Sequence, residues 1–198
     1  MVKRLLRKEK MTVKIIRSDR RSISLEITPA GEVLVRAPRR MPEAEIRHFV
    51  KEKSSWLTKH LAKREADKAV LQNEGFFTDA EIVRLTKLAK KIIPEKVAYF
   101  ARVMGVTYGR IAIRKQKTKW GRCSRDGNLN FNCLLMMAPP EVLDYVVVHE
   151  LCHRLEMNHS AKFWAEVERV LPEYRMPRKW LKDHGGALMM RMHGTAEE

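Results

Sequence analysis

The sequence contains few of the features that would mark an extracellular or membrane protein. Only three cysteines occur in 198 residues, without close pairing, so no disulfide framework is expected and a reducing, cytoplasmic setting fits the cysteine usage. No run approaches the roughly 20 apolar residues that a membrane span needs. The opening stretch, MVKRLLRKEKMTVKII, has no uninterrupted apolar core before its next charges, which argues against a secretory leader. Acidic residues are scarce as well: 24 stand against 40 lysines and arginines, for a net charge of +16. Two clusters carry much of the excess. Residues 1–21 hold nine basic residues against two acids, and residues 110–126 hold seven against one. Such clusters offer phosphates or acidic partners a surface, although net charge alone names no partner and a solvated basic surface is the plainer reading.

The apolar fraction of 44% is that of a globular chain with one full core. Residues 12–17, 21–28 and 32–37 alternate as three short strands, the last two joined by a turn over Thr28-Pro29-Ala30-Gly31. Pro42 opens a helix whose stripe is Ile46, Phe49, Val50, Leu57 and Leu61. The polar stretch 66–77 reads as a linker. Thr78 and Glu81 match a capping box for a helix that runs to about Met104 and stops at Gly105, with Pro94 as a point of kinking or division. Residues 110–115 read as a strand, and 119–124 with 128–134 as a hairpin. Pro140 starts a helix that is apolar nearly all round up to Leu155. Ser160 caps the next one, and a short helix over 174–183 ends near Gly185-Gly186. The expected fold is α+β: an N-terminal sheet and long helix over 1–66, a catalytic core over 78–184, and a flexible tail over 185–198.

The chemistry concentrates in His149-Glu150-Leu151-Cys152-His153. Residues four apart on a helix share one face, so both imidazoles can reach a single ion, and the intervening glutamate can reach a water on it. Chance alone would produce this pattern in about one such composition in fifty, so its context matters. That context is a buried helix followed by a third histidine, His159. On a continuing helix His159 would lie about 9 Å beyond His153, too far for a shared ion. The helix must therefore break between Arg154 and Asn158, where Asn158 tolerates a left-handed stop. The candidate metal ligands are His149, His153 and His159 around one Zn2+ per chain, and the candidate catalytic residue is Glu150 as general base. Glu168 or Glu173 is the alternative third ligand. Cys152 points about 100° from His153 and reads as core. Cys123 and Cys133 are read the same way. Trp120 reads equally as cleft wall or packed anchor. His48, His60, His184 and His193 carry no pattern. Backbone amides in 120–132, Asn132 and Arg122 are candidate oxyanion donors. Strand 128–134 is the candidate edge for an extended substrate.

These residues resemble the YgjP-like metal-dependent hydrolases, distant relatives of SprT-like and other zincin peptidases. The resemblance is carried by Trp120-Gly121, Pro139-Pro140, Tyr145-Val146-Val147-Val148-His149-Glu150-Leu151, His153, Asn158-His159-Ser160 and Phe163-Trp164, and it extends over nearly the whole chain. It implies a minimal zincin-like metallopeptidase core, the metal on His149, His153 and His159, Glu150 as catalytic glutamate, and a peptide or protein substrate. Arg122 stands where the family commonly has a small residue, which bears on substrate preference. The histidine spacing is also that of metzincins, but Glu156 occupies the place of their glycine. The competing class is a nucleic-acid-binding protein with a structural zinc. A protease acting on DNA-bound proteins would combine the two.

Overall fold

The computed structural model describes residues 5–8, 11–28 and 31–193. The fold is α+β, with two small sheets and six α-helices among the described residues. The chain divides into two compact units, Met1–Ala66 and Asp67–Glu198.

The first unit contains β1 (Leu5–Lys8), β2 (Met11–Ser18), β3 (Ser24–Ile27) and β4 (Val33–Pro38) in the spatial order β1-β2-β4-β3. Four strands form where alternation predicts three, because β1, with the sequence LLRK, has no alternating pattern to announce it. β1 pairs antiparallel with β2, β2 parallel with β4, and β3 antiparallel with β4. Pro29 and Ala30 of the expected turn lie outside the described residues. Successive strand side chains face opposite sides of a sheet. Val33, Val35 and Ala37 therefore share a face, and they are buried with Val13, Ile15, Ile46 and Leu57.

The single long helix expected after Pro42 is two, α1 (Glu43–Glu52) and α2 (Ser54–Glu74), interrupted at Lys53. Serines favour helix starts over helix interiors, and Thr58 bonds back to the Ser54 carbonyl at 3.1 Å, a contact that bends helices. The expected linker is a correction too: α2 runs to Glu74 and stops at Gly75, which has φ 70°. Its polarity is that of a helix face, and Asp67 within it is buried.

The second unit carries α3 (Asp79–Met104), with the Thr78–Glu81 capping box formed and Gly105 left-handed at φ 68°. Pro94 sits inside α3 without dividing it. The second sheet comprises β5 (Ile111–Arg114), β6 (Gly121–Cys123) and β7 (Leu129–Asn132) in the order β5-β7-β6. The antiparallel pairing of β6 with β7 is the expected hairpin. β7 is the central strand, however, so it has no free edge for a substrate. β5 and β6 are the edges.

A 3-10 turn (Cys133–Met137) leads to α4 (Pro140–Cys152), α5 (Ala161–Val170) and α6 (Arg175–His193). Three consecutive valines, 146–148, are helical despite their strand preference, because all three are buried in the main core. α6 continues past Gly185 and Gly186, correcting the expected stop and most of the expected flexible tail; residues 194–198 lie outside the described ones. Those glycines allow close approach. A Cβ at Gly185 would sit 3.0 Å from the Trp120 ring, and one at Gly186 would strike the Asp67 carboxylate.

Candidate metal centre

α4 places His149 and Glu150 on its last turn and ends at Cys152, with His153 as cap residue. The break falls where the reach argument requires it, but its stop is not left-handed: His153 has φ −66° and ψ −10°. The chain turns instead through Arg154 N–H to Leu151 O at 2.9 Å and Glu156 N–H to Cys152 O at 2.9 Å. The Arg154 guanidinium ties this turn to Thr107 O at 2.9 Å and Arg125 O at 3.0 Å. Asn158 contributes through its side chain, accepting from Ser160 N at 3.1 Å. Ser160 in turn caps α5. The folded-back segment carries His159 onto the α4 histidines.

One ring nitrogen from each of His149, His153 and His159 lies within 4.8 Å of the others, so these three residues could hold a metal ion. The Nε2 atoms of His149 and His159 are 3.0 Å apart. The buried ring of Phe163 lies 4.7–4.9 Å from all three imidazoles and forms an apolar wall. His153 Nδ1 lies 3.1 Å from Glu156 O. A carbonyl can only accept, so Nδ1 carries the proton and Nε2 presents its lone pair. Burial pushes the His149 pKa down to about 3, helped by His153, His159 and Arg178, and burial also lowers that of His153. Both rings are therefore neutral at physiological pH, the form in which imidazole ligates metals. The donor set and its protonation fit a divalent metal. Glu168 is instead engaged by Arg175 at 2.8 Å.

Glu150 points from α4 towards the free edge of β6. It is 5% exposed. Burial raises its pKa to about 8, against the opposing pull of the Cys123 backbone N–H and of Lys119. The register explains that N–H. Asn132 N–H bonds to Trp120 O and Ser124 N–H to Asn128 O, so residues 120, 122 and 124 face β7 with their backbone groups. Gly121 and Cys123 point theirs outward, towards Glu150. A Cβ at Gly121 would lie 2.5 Å from Glu150 Oε1 and 2.6 Å from its Cγ. Sequence reasoning noted the Trp120-Gly121 pair but not this contact, which joins residues far apart in the chain. Gly121→Ala is expected to destabilise the protein by about 1–3 kcal/mol through overpacking at this contact. Urea unfolding measures it, and unchanged stability would mean that Glu150 has room to swing aside.

Asn132 is corrected as an oxyanion donor. It is fully buried, its Nδ2 donates to Gln116 O at 2.8 Å and Lys119 O at 3.1 Å, and its Oδ1 accepts from Leu134 N. Cys152 is fully buried, and burial pushes its thiol up to about 12. Trp120 packs against the core and Gly185.

The class to which this architecture belongs is that of the metal-dependent peptidases. The model of the YgjP-like metallopeptidase domain matches residues 21–87 and 80–184, and the chain belongs to that YgjP-like family. Two solved structures are similar. The metallopeptidase zymogen abylysin of Pyrococcus abyssi is 22% identical, with 46% of this chain and 93% of that chain covered and a TM-score of 0.43. The metallopeptidase zymogen jannalysin of Methanocaldococcus jannaschii is 25% identical, with the same coverages and a TM-score of 0.40. No curated protein matches the sequence. The family implies a peptide or protein substrate, and nothing in these matches points to nucleic acid. No helix among the described residues is long and apolar enough to cross a membrane.

Proposed function

We propose that the protein is a zinc metallopeptidase whose second unit is catalytic, with His149, His153 and His159 as metal ligands and Glu150 as general base. The observation that carries this reading is the convergence of three imidazoles, two of them held neutral by burial, His149 and His153, beside the buried side chain of Glu150. Zinc supplies a Lewis acid that acidifies its bound water and polarises a carbonyl. The chain's own groups do the rest. Glu150, whose ionised form a divalent cation on the three histidines would favour, accepts a proton from the attacking water and delivers it to the leaving nitrogen. The Cys123 N–H orients the carboxylate, and Gly121 gives it room against β6. Phe163 keeps water from the back of the imidazole cluster. Three buried free thiols, Cys123, Cys133 and Cys152, suit a reducing compartment, the basis for proposing a cytoplasmic location.

Protein purified without chelator should contain about one zinc per chain by elemental analysis. Chelation should abolish cleavage of a peptide library, and added zinc should restore it. Chelator-insensitive cleavage, or no zinc uptake after exposure to the metal, would overturn the proposal.

A further inference from the structure

α6 opens with two arginines that differ in what holds them. Arg175 lies 5.0 Å from the Tyr174 ring and is committed to Glu168 through an Nη1–Oε1 contact of 2.8 Å. Arg178 lies 4.2 Å from the centre of the Trp164 ring, is exposed, and has no carboxylate partner among the described residues. Trp164 belongs to a chain of aromatic contacts that leads back to the imidazole cluster. It stacks with His159 at 5.9 Å and 29°, and with Tyr174 at 5.5 Å and 18°. Tyr174 stacks with Tyr145 at 6.5 Å, and Tyr145 meets His149 edge-on at 5.8 Å.

The guanidinium is thus one indole ring away from His159. Stacking on an aromatic face fixes a guanidinium's plane and leaves its edge N–H groups free to donate. Those donors match the two oxygens of a carboxylate side by side, a geometry a lysine ammonium cannot reproduce. The two contacts that link Arg178 to His159 also keep it within about three extended peptide residues of the triad, at roughly 3.3 Å each. An unpaired cation at that distance is placed to select substrates, because the anion that a peptide brings is a carboxylate.

We propose that Arg178, held over the Trp164 ring, is a specificity-determining residue that receives a carboxylate of the peptide substrate. The inference rests on the metallopeptidase reading of the His149–His153–His159 site. The carboxylate has two sources, an acidic side chain near the scissile bond or the free C-terminus, and the test separates them.

The test is a binding measurement on the full chain carrying Glu150→Gln, so that no turnover is required. Fluorescently labelled peptides carry Glu or Gln at each of three central positions, and each ends in a free or an amidated C-terminus. Anisotropy titrations give their affinities. In one arm the carboxylate peptide should bind about tenfold to a hundredfold more tightly than its amide counterpart, the range of a charge-assisted hydrogen-bonded pair. Adding Arg178→Gln should reduce that ratio to below about twofold, while Arg178→Lys should keep part of it. Zinc content and melting temperature should not change in either variant. A ratio confined to free C-termini marks a terminal carboxylate as the anchor, and one confined to Glu marks an acidic side chain. Discrimination that survives Arg178→Gln, or none in the parent protein, overturns the inference. Wild-type, zinc-loaded protein that shows the Arg178-dependent preference yet hydrolyses no peptide would overturn the peptidase reading instead.

Discussion

Glu150→Gln is expected to lower peptide hydrolysis by about a thousandfold or more while leaving zinc content and fold intact. The amide keeps the size of the carboxylate and can still accept the Cys123 N–H, so the packing against Gly121 is preserved. It cannot take a proton from water near neutral pH, and general base catalysis contributes about a hundredfold to ten-thousandfold. The substitution also replaces an ionisable group that burial holds near pKa 8, so the variant should be at least as stable as the wild type. Initial rates on any cleaved peptide, elemental analysis and a melting curve together check this. A variant that retains wild-type rates removes Glu150 from the chemistry. One that loses zinc gives it a structural share in the site.

The parts of this site that lie close together in the chain are legible in the sequence itself. A one-turn spacing on a buried helix is enough to pair His149 with His153, and the reach of an ion is enough to demand a chain break before His159. The manner of that break was not legible, because it depends on backbone bonds of Arg154 and Glu156 and on an arginine reaching Thr107 and Arg125. Long-range contacts stayed hidden for the same reason. Gly121 reads as an ordinary strand glycine until β6 is seen to be an edge with Glu150 against it. Conversely, β7 reads as an exposed hairpin arm until β5 is found in parallel on its other side. In the fold, caps were readable because they are local, as at Thr78, Gly105 and Ser160. The polar stretch after Ala66 and the glycine pair in α6 misled because propensity was overridden by packing, with Asp67 buried and Gly185 against Trp120.

The three ligand histidines should be separable by the company each keeps. His149→Ala, His153→Ala and His159→Ala are each expected to weaken zinc binding by more than about a hundredfold, beyond the loss usual for a residue that only orients a ligand. All three should abolish hydrolysis. Their effects on the metal-free protein should differ. His153 is buried, and its Nδ1 holds the Glu156 carbonyl that helps shape the turn after α4. Truncating it leaves a cavity and an unpaired carbonyl, so metal-free His153→Ala should melt well below the metal-free wild type. His149 packs against Phe163 and Tyr145 and should behave similarly. His159 is exposed and sits on a loop fixed independently by Asn158 and Ser160. Metal-free His159→Ala should therefore melt within a few degrees of the metal-free wild type, yet gain almost nothing on addition of zinc, whereas wild type should gain several degrees. Thermal melts of chelated and zinc-loaded samples, paired with elemental analysis, give both readings at once. Undiminished zinc in His159→Ala would pass the third position to Glu168 or Glu173. The Arg175 contact to Glu168 argues against the first of these, so Glu168→Gln should leave zinc content unchanged.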